Sequence, residues 1–183
     1  GTTSPSQKLD VVGKIALDDG GGSVFIGTDA GLDDDASSNI NVGIGQQALY
    51  SNTSGGANVA NGARALKLNT IGVNNTAIGF GSMYFNTTGG YNVAIGNQAG
   101  TSTNTSAPNE TSSNSVYIGS LTKASASGNT NEIVIGDTAE GLGSNTVVLG
   151  NDSIITTLLK GNVGIGTTAP SQKLQVNGRI RIP

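Results

Sequence analysis

The chain has 183 residues with 29 glycines, no cysteine and no histidine; 4% of residues are aromatic, 11% are charged, and the net charge is −3. Globular chains usually carry about 25% charged residues, so this composition excludes a thick core of large side chains and predicts one only a residue or two across. It also excludes disulfides and thiolate metal sites, removes the commonest general base, and with nine scattered Lys and Arg favours neither nucleic acid nor an anionic membrane. No apolar run approaches the roughly 20 residues of a membrane span, and no signal-peptide pattern is present. Low net charge and regularly spaced Val and Ile argue against disorder.

In chain order, the first element is a connector, residues 1–22. Its residues 1–15, GTTSPSQKLDVVGKI, return as residues 166–180, GTTAPSQKLQVNGRI, with eleven identities in fifteen. In the second copy Leu174 and Val176 alternate with polar residues, as in a strand, and Asn177-Gly178 signals a tight turn. Residues 166–183 are therefore a second connector. The chain opens inside a motif, which predicts a fragment of a longer protein that repeats the module.

Next come Asp18, Asp19, Asp29, Asp33, Asp34 and Asp35. Clustered oxygen ligands suit calcium, the one cofactor this composition suggests. Their spacing matches no known loop, and solvated turns are the expected reading.

Residues 23–165 carry the main signal. A short motif ends on glycine at Gly27, Gly45, Gly62, Gly79, Gly96, Gly119, Gly136, Gly150 and Gly166, reading NVGIG, NVANG, NTAIG and NVAIG across the strict block from Asn41 to Gly96. Within that block the period is 17 residues. Fixed periodicity is the signature of a solenoid, here an all-β one of about nine short coils. Val93 and Ile95 share parity and point to one face of a strand, Ala94 to the other. Val42, Ile44, Asn61, Ile78, Val93 and Ile95 are accordingly predicted to pack in the core or between chains. Leu49, Leu66 and Met83 form a second column, predicted as a shorter strand. Asn52, Asn69 and Asn86, with Thr53, Thr70 and Thr87 and then Gly55, Gly72 and Gly89, return the chain, because Asn and Gly tolerate left-handed backbone. So thin a coil buries little surface alone, and outer apolar residues, among them Phe25, Phe80, Tyr84, Phe85, Tyr91 and Tyr117, need cover. Lateral association of chains, a homo-oligomer, is expected.

Asn61 interrupts the Ile44, Ile78, Ile95 column. A buried amide is costly unless hydrogen-bonded. If the column faces an axis between chains, copies of Asn61 satisfy one another and fix register, as buried Asn does in coiled coils; the alternative is a distorted coil with Asn61 in solvent.

The NVAIG units, QALYSNTSGGANV and NTTGGYNVAIGNQAG resemble the head repeats of YadA-like trimeric autotransporter adhesins. GIGTTAPSQKLQVNGRI resembles a segment of phage tail fibres and related surface fibres. The resemblance implies a left-handed parallel β-roll assembled as a homotrimer, and an extracellular, non-enzymatic protein. The function it implies is a structural and receptor-binding segment of a tail fibre on a virion, attaching to a cell-surface glycan or outer-surface protein. The alternative is the head of a bacterial adhesin. Adhesin repeats are nearer 14 residues, so the 17-residue coils are expected to carry a longer outer loop.

Competing readings have weaker support. Gly43-x-Gly45-x-x-Ala48 resembles a dinucleotide fingerprint, but no helix pattern follows it. The Asn-x-Ser/Thr sequons at Asn52, Asn86, Asn104, Asn109 and Asn151 fall in turns that want Asn and Thr for backbone reasons. The threonine column resembles ice-binding ladders, but two positions on stand Gly55, Gly72 and Gly89, so no paired array forms. Paired carboxylates for glycan cleavage are not evident, and Ser or Thr nucleophiles would lack a histidine base. Residues 101–115 exceed the 17-residue period by about six, and insertions map to loops that carry binding. Thr101, Asn104 and Asn109 there, with Tyr50, Tyr84 and Tyr91 as rings that stack on sugars, are the candidate receptor contacts.

Overall fold

A computed structural model describes residues 21–35 and 39–181; the first connector's repeat, residues 1–15, and Asp18 and Asp19 lie outside them. Ten three-residue strands follow one another: β1 (Val24–Ile26), β2 (Val42–Ile44), β3 (Val59–Asn61), β4 (Thr76–Ile78), β5 (Val93–Ile95), β6 (Val116–Ile118), β7 (Ile133–Ile135), β8 (Val147–Leu149), β9 (Val163–Ile165) and β10 (Leu174–Val176). No helix occurs among the described residues. The chain divides into two compact units, Gly1–Asn151 and Asp152–Pro183.

The first unit is a parallel β-solenoid. Strands β1 to β8 lie side by side in sequence order in one sheet. Motif residues pair with their counterparts one period on, as in Val42↔Val59, Val59↔Thr76 and Thr76↔Val93. Register survives the longer step from β5 to β6, where Val93 pairs with Val116. Eight strands give seven coil-to-coil steps, about 34 Å at the usual strand spacing. Nine coils were expected. The ninth motif copy, β9, instead pairs in parallel with β10 in the second unit, a two-stranded sheet. The predicted strand at Leu174 and Val176 is therefore present.

Small side chains occupy the interior. Ala60, Ala77 and Ala94, the strand centres, are fully buried with Ala48, Ala65, Ala99, Leu49, Leu66 and Met83. The flanking Val and Ile point outward. The thin core is thus lined by the motif's small residue, and its aliphatic pair forms an outer face. The largest strand centre, Tyr117, stands where space is vacated. Gly100 stands one period after Met83 in the Leu49 column, and a Cβ there would come within 2.7 Å of the Tyr117 ring. Tyr117 fills that gap and is fully buried, so it needs no outside cover, contrary to expectation.

The Leu49 column is not a strand. Leu49, Leu66 and Met83 have φ of 52, 49 and 50°, the left-handed region. Residues two earlier, Gln47 and Arg64, are left-handed too, at 59 and 63°. Such backbone costs about 1–2 kcal/mol per residue in isolation, but here each turn is fixed from both sides. The Gln47 N–H donates back to Thr28 O (2.8 Å), and the Leu49 N–H forward to Ala65 O (3.0 Å). The motif glycines sit where backbones of successive coils touch: at Gly45, φ 127°, a Cβ would lie 2.6 Å from the Gly62 carbonyl carbon.

Candidate functional site

Two ladders of buried asparagine stiffen the solenoid and fix where its surfaces lie. In one, Asn69 Nδ2 donates to Asn52 Oδ1 and Asn86 Nδ2 to Asn69 Oδ1, each at 2.8 Å. In the other, formed by the residue before each strand, Asn58 N–H donates to Asn41 Oδ1 (2.9 Å), Asn75 N–H to Asn58 Oδ1 (2.9 Å) and Asn92 N–H to Asn75 Oδ1 (3.0 Å). The ladders meet at glycine carbonyls. Gly72 O accepts from Asn58 Nδ2 (2.8 Å) and Asn69 Nδ2 (3.1 Å), and Gly89 O from Asn75 (2.9 Å) and Asn86 (3.0 Å). An amide carries donors and an acceptor at once, so one column passes hydrogen bonds along the stack while satisfying the return turn. The threonine column is committed likewise: Thr53 Oγ1 donates to Thr70 O and Thr70 Oγ1 to Thr87 O, both 3.1 Å.

Both ladders change identity after the insertion. One period past Ser115, Glu132 takes the place of the second ladder's asparagine and is fully buried. Its carboxylate accepts from Gly143 N–H (2.9 Å), Ser125 N–H (3.2 Å), Asn129 Nδ2 (3.2 Å) and Tyr117 Oη (3.3 Å). Burial, with Glu132 beside it, pushes the Tyr117 phenol up to about 12.

Two outer surfaces follow from this scaffold. The first is the aliphatic face of the sheet. Ile26, Ile44, Val59, Ile78, Ile95 and Ile135 are each between a third and a half exposed, and Val147 and Leu149 more so. Asn61 lies in this face, in undistorted register between Ile44 and Ile78, and is exposed. The residues expected to pack in the core or between chains are thus all outward-facing members of one sheet. Val42 and Val93 are half-buried there.

The second surface is the turn after each strand. Tyr50, Lys67, Tyr84 and Thr101 share one column, five residues past successive motif glycines. Lys67 Nζ sits 5.5 Å from the ring centroids of both Tyr50 and Tyr84, a cation held between two π faces. Beside them is an open cavity of about 260 Å³ lined by Arg64, Phe80, Gly81, Tyr84, Phe85, Gln98 and Thr101. Tyr84 and Phe85 meet edge to face at 4.8 Å. Among the described residues the one ion pair is Lys123–Glu140 (2.8 Å), so Arg64 and Lys67 have no carboxylate partner.

Of the candidate contacts, Tyr50, Tyr84 and Thr101 come together here. Tyr91 is 61% exposed and belongs to a different column, aligned with Asn74. The insertion folds as a tight loop, with Ser102 bridged antiparallel to Pro108. Asn104 Nδ2 donates to Gly141 O (2.9 Å). Asn109 is buried, donates to Gly100 O (3.0 Å) and accepts from Ser112 Oγ (2.7 Å). It holds the loop's base and offers nothing outward. Arg64, Gly81 and Gln98 were missed as site residues; the signal was the column two residues past each motif glycine. Among the described residues no group of three or more acidic side chains is placed to hold a metal. Asp34 Oδ1 accepts from Asn39 Nδ2 (2.8 Å) and Asn52 Nδ2 (3.2 Å), capping the first asparagine ladder.

Comparison with protein-family models, curated proteins and solved structures finds no match.

Proposed function

We propose that this chain is a rigid structural and receptor-binding segment of a homotrimeric extracellular fibre, of the tail-fibre type, built as a left-handed β-roll and without catalytic activity. The observation that carries the reading is the outward aliphatic face. A ladder of half-exposed Ile and Val runs the length of the sheet, while the interior is filled with alanine and amides. Contiguous apolar patches of this kind mark interfaces, and burying each half-exposed Ile contributes about 1 kcal/mol. Parallel copies bring identical columns together, which suits a symmetric assembly. The Tyr50–Lys67–Tyr84 column and the insertion loop are the surfaces offered to a cell-surface glycan or protein.

Charge placed in the aliphatic face tests the reading. Ile78→Glu with Ile95→Glu should convert the assembly to monomer by sedimentation while leaving the asparagine-lined interior intact by far-UV circular dichroism. An unchanged sedimentation coefficient would remove the sheet face as the interface. Attachment is tested separately, by binding of fluorescently labelled protein to intact bacterial cells.

A further inference from the structure

The second residue past each motif glycine is left-handed in every coil of the strict block: Gln47, Arg64, Gly81 and Gln98 have φ of 59, 63, 60 and 51°. Three of the four carry long polar side chains, placed one period apart in a single column. Gly81 carries none. Left-handed backbone does not explain the glycine, because its neighbours adopt it with full side chains. Gly81 leaves a gap in the column, bordered by the Gln98 stem, whose Cγ lies 3.5 Å from where a Cβ on Gly81 would stand. The gap is the 260 Å³ cavity, with Arg64 one coil below and Gln98 one coil above, about 9.6 Å apart at the strand spacing.

The gap is chemically two-sided. Phe80, Tyr84 and Phe85 supply ring surface, and Phe80 is 46% exposed. Among the described residues the Arg64 guanidinium and the Gln98 amide make no hydrogen bond, and both line the cavity. Thr101 Oγ1 donates to the Gly81 carbonyl (2.6 Å) and fixes the floor. Pockets for drug-sized ligands measure roughly 300–1,000 Å³, so this one suits a single small ring. An aromatic wall takes the C–H face of a sugar, and hydrogen bonds along its rim take hydroxyls. A neutral sugar leaves the charge unexplained, since among the described residues Arg64 and Lys67 have no carboxylate partner. A guanidinium's planar fork matches a carboxylate.

We propose that the Gly81 notch binds a carboxylate-bearing pyranose, an acidic sugar residue of a surface polysaccharide, stacked on the aromatic wall with its carboxylate at Arg64 and its hydroxyls at Gln98. This rests on the receptor-binding reading and names the ligand class for it. Lys67, clamped between Tyr50 and Tyr84, adds a second positive charge toward the next sugar of the chain. Single-ring affinity is weak, and several notches along a multichain fibre raise it by effective concentration.

The test is titration of the full chain with methyl β-D-glucuronide and methyl β-D-glucoside, which differ in the carboxylate, read by ¹H–¹⁵N chemical-shift changes. The glucuronide should shift amides around residues 80–85 and bind at least about tenfold more tightly than the glucoside, the value of one charged hydrogen bond. Arg64→Ala should bring the two sugars level. Gly81→Gln restores the side chain found in the neighbouring coils, so it should fold normally, fill the notch and abolish binding of both. Equal affinity for both sugars, no shift at the highest soluble glucuronide concentration, or undiminished binding to Gly81→Gln overturns the proposal. Cell binding separates the two readings. If wild type and Gly81→Gln adhere equally, the receptor role stands and the notch falls; if glucuronide binds but no cell is bound, the notch stands and the receptor role falls.

Discussion

Replacing Asn69 by alanine removes the middle of the first asparagine ladder. Asn69 is fully buried. Its amide donates to Asn52 Oδ1 (2.8 Å) and Gly72 O (3.1 Å), and its carbonyl accepts from Asn86 Nδ2 (2.8 Å). Gly72 O keeps Asn58 Nδ2, and Asn86 Nδ2 keeps Gly89 O. Asn52 Oδ1 is left in a dry interior without a donor. Three lost hydrogen bonds at about 0.5–1.5 kcal/mol each, with a stranded acceptor at about 1–3 kcal/mol, give a destabilisation of about 2.5–7.5 kcal/mol. Asn69→Asp is expected to do worse at neutral pH, since a carboxylate cannot donate to either oxygen, and to recover part of the loss on acidification. The assay is urea unfolding followed by circular dichroism at fixed protein concentration, because assembly makes stability concentration-dependent. Asn69→Ala within about 0.5 kcal/mol of wild type would refute the ladder as a source of stability.

Three further outcomes follow. Gly45→Ala drives a Cβ to 2.6 Å from the next coil's backbone and should cost about 3 kcal/mol or more, read as a lower thermal midpoint. Asn61→Ile, on the outer face, should leave the single-chain fold intact but loosen register between chains; an unchanged melting temperature and oligomer state would dismiss a register role for Asn61. Because burial raises the Tyr117 phenol to about 12 from 10, the unfolded chain loses this proton first. Stability should hold below pH 10 and fall by about 2–3 kcal/mol between pH 10 and 12; Tyr117→Phe, which leaves Glu132 its other donors, should lack that alkaline loss in a pH series of melts.

Much of this was written in the repeat. Motif spacing located each strand of the solenoid, and the columns of Asn52 and Leu49 proved to be real stacks. Parity places Val93 and Ile95 opposite Ala94, but the expected packing of the aliphatic pair in the core is reversed: Ala94 is fully buried and Ile95 is 39% exposed. Which side is interior depends on what fills the coil: with two amide ladders and a leucine column inside, the strict block has only glycine or alanine at its strand centres, Gly43, Ala60, Ala77 and Ala94. The Leu49 column read as a strand because apolar spacing is blind to φ, and coil-to-coil hydrogen bonds hold it left-handed. The ninth motif copy matched the pattern locally, yet β9 pairs with β10, a choice made by tertiary pairing. The Asn41 ladder was visible as an asparagine before the strict-block strands, but polar residues beside a strand look like turns until their carbonyl partners are known. The notch at Gly81 is a missing side chain in a column of long ones, legible only when coils are stacked.

The claim that an outward aliphatic face is closed by other copies is tested most directly by the solution mass of the intact chain. Size-exclusion chromatography with light scattering should give three times the 18.2 kDa chain mass, stable on dilution. A single 18.2 kDa species with the sheet fold intact would contradict it.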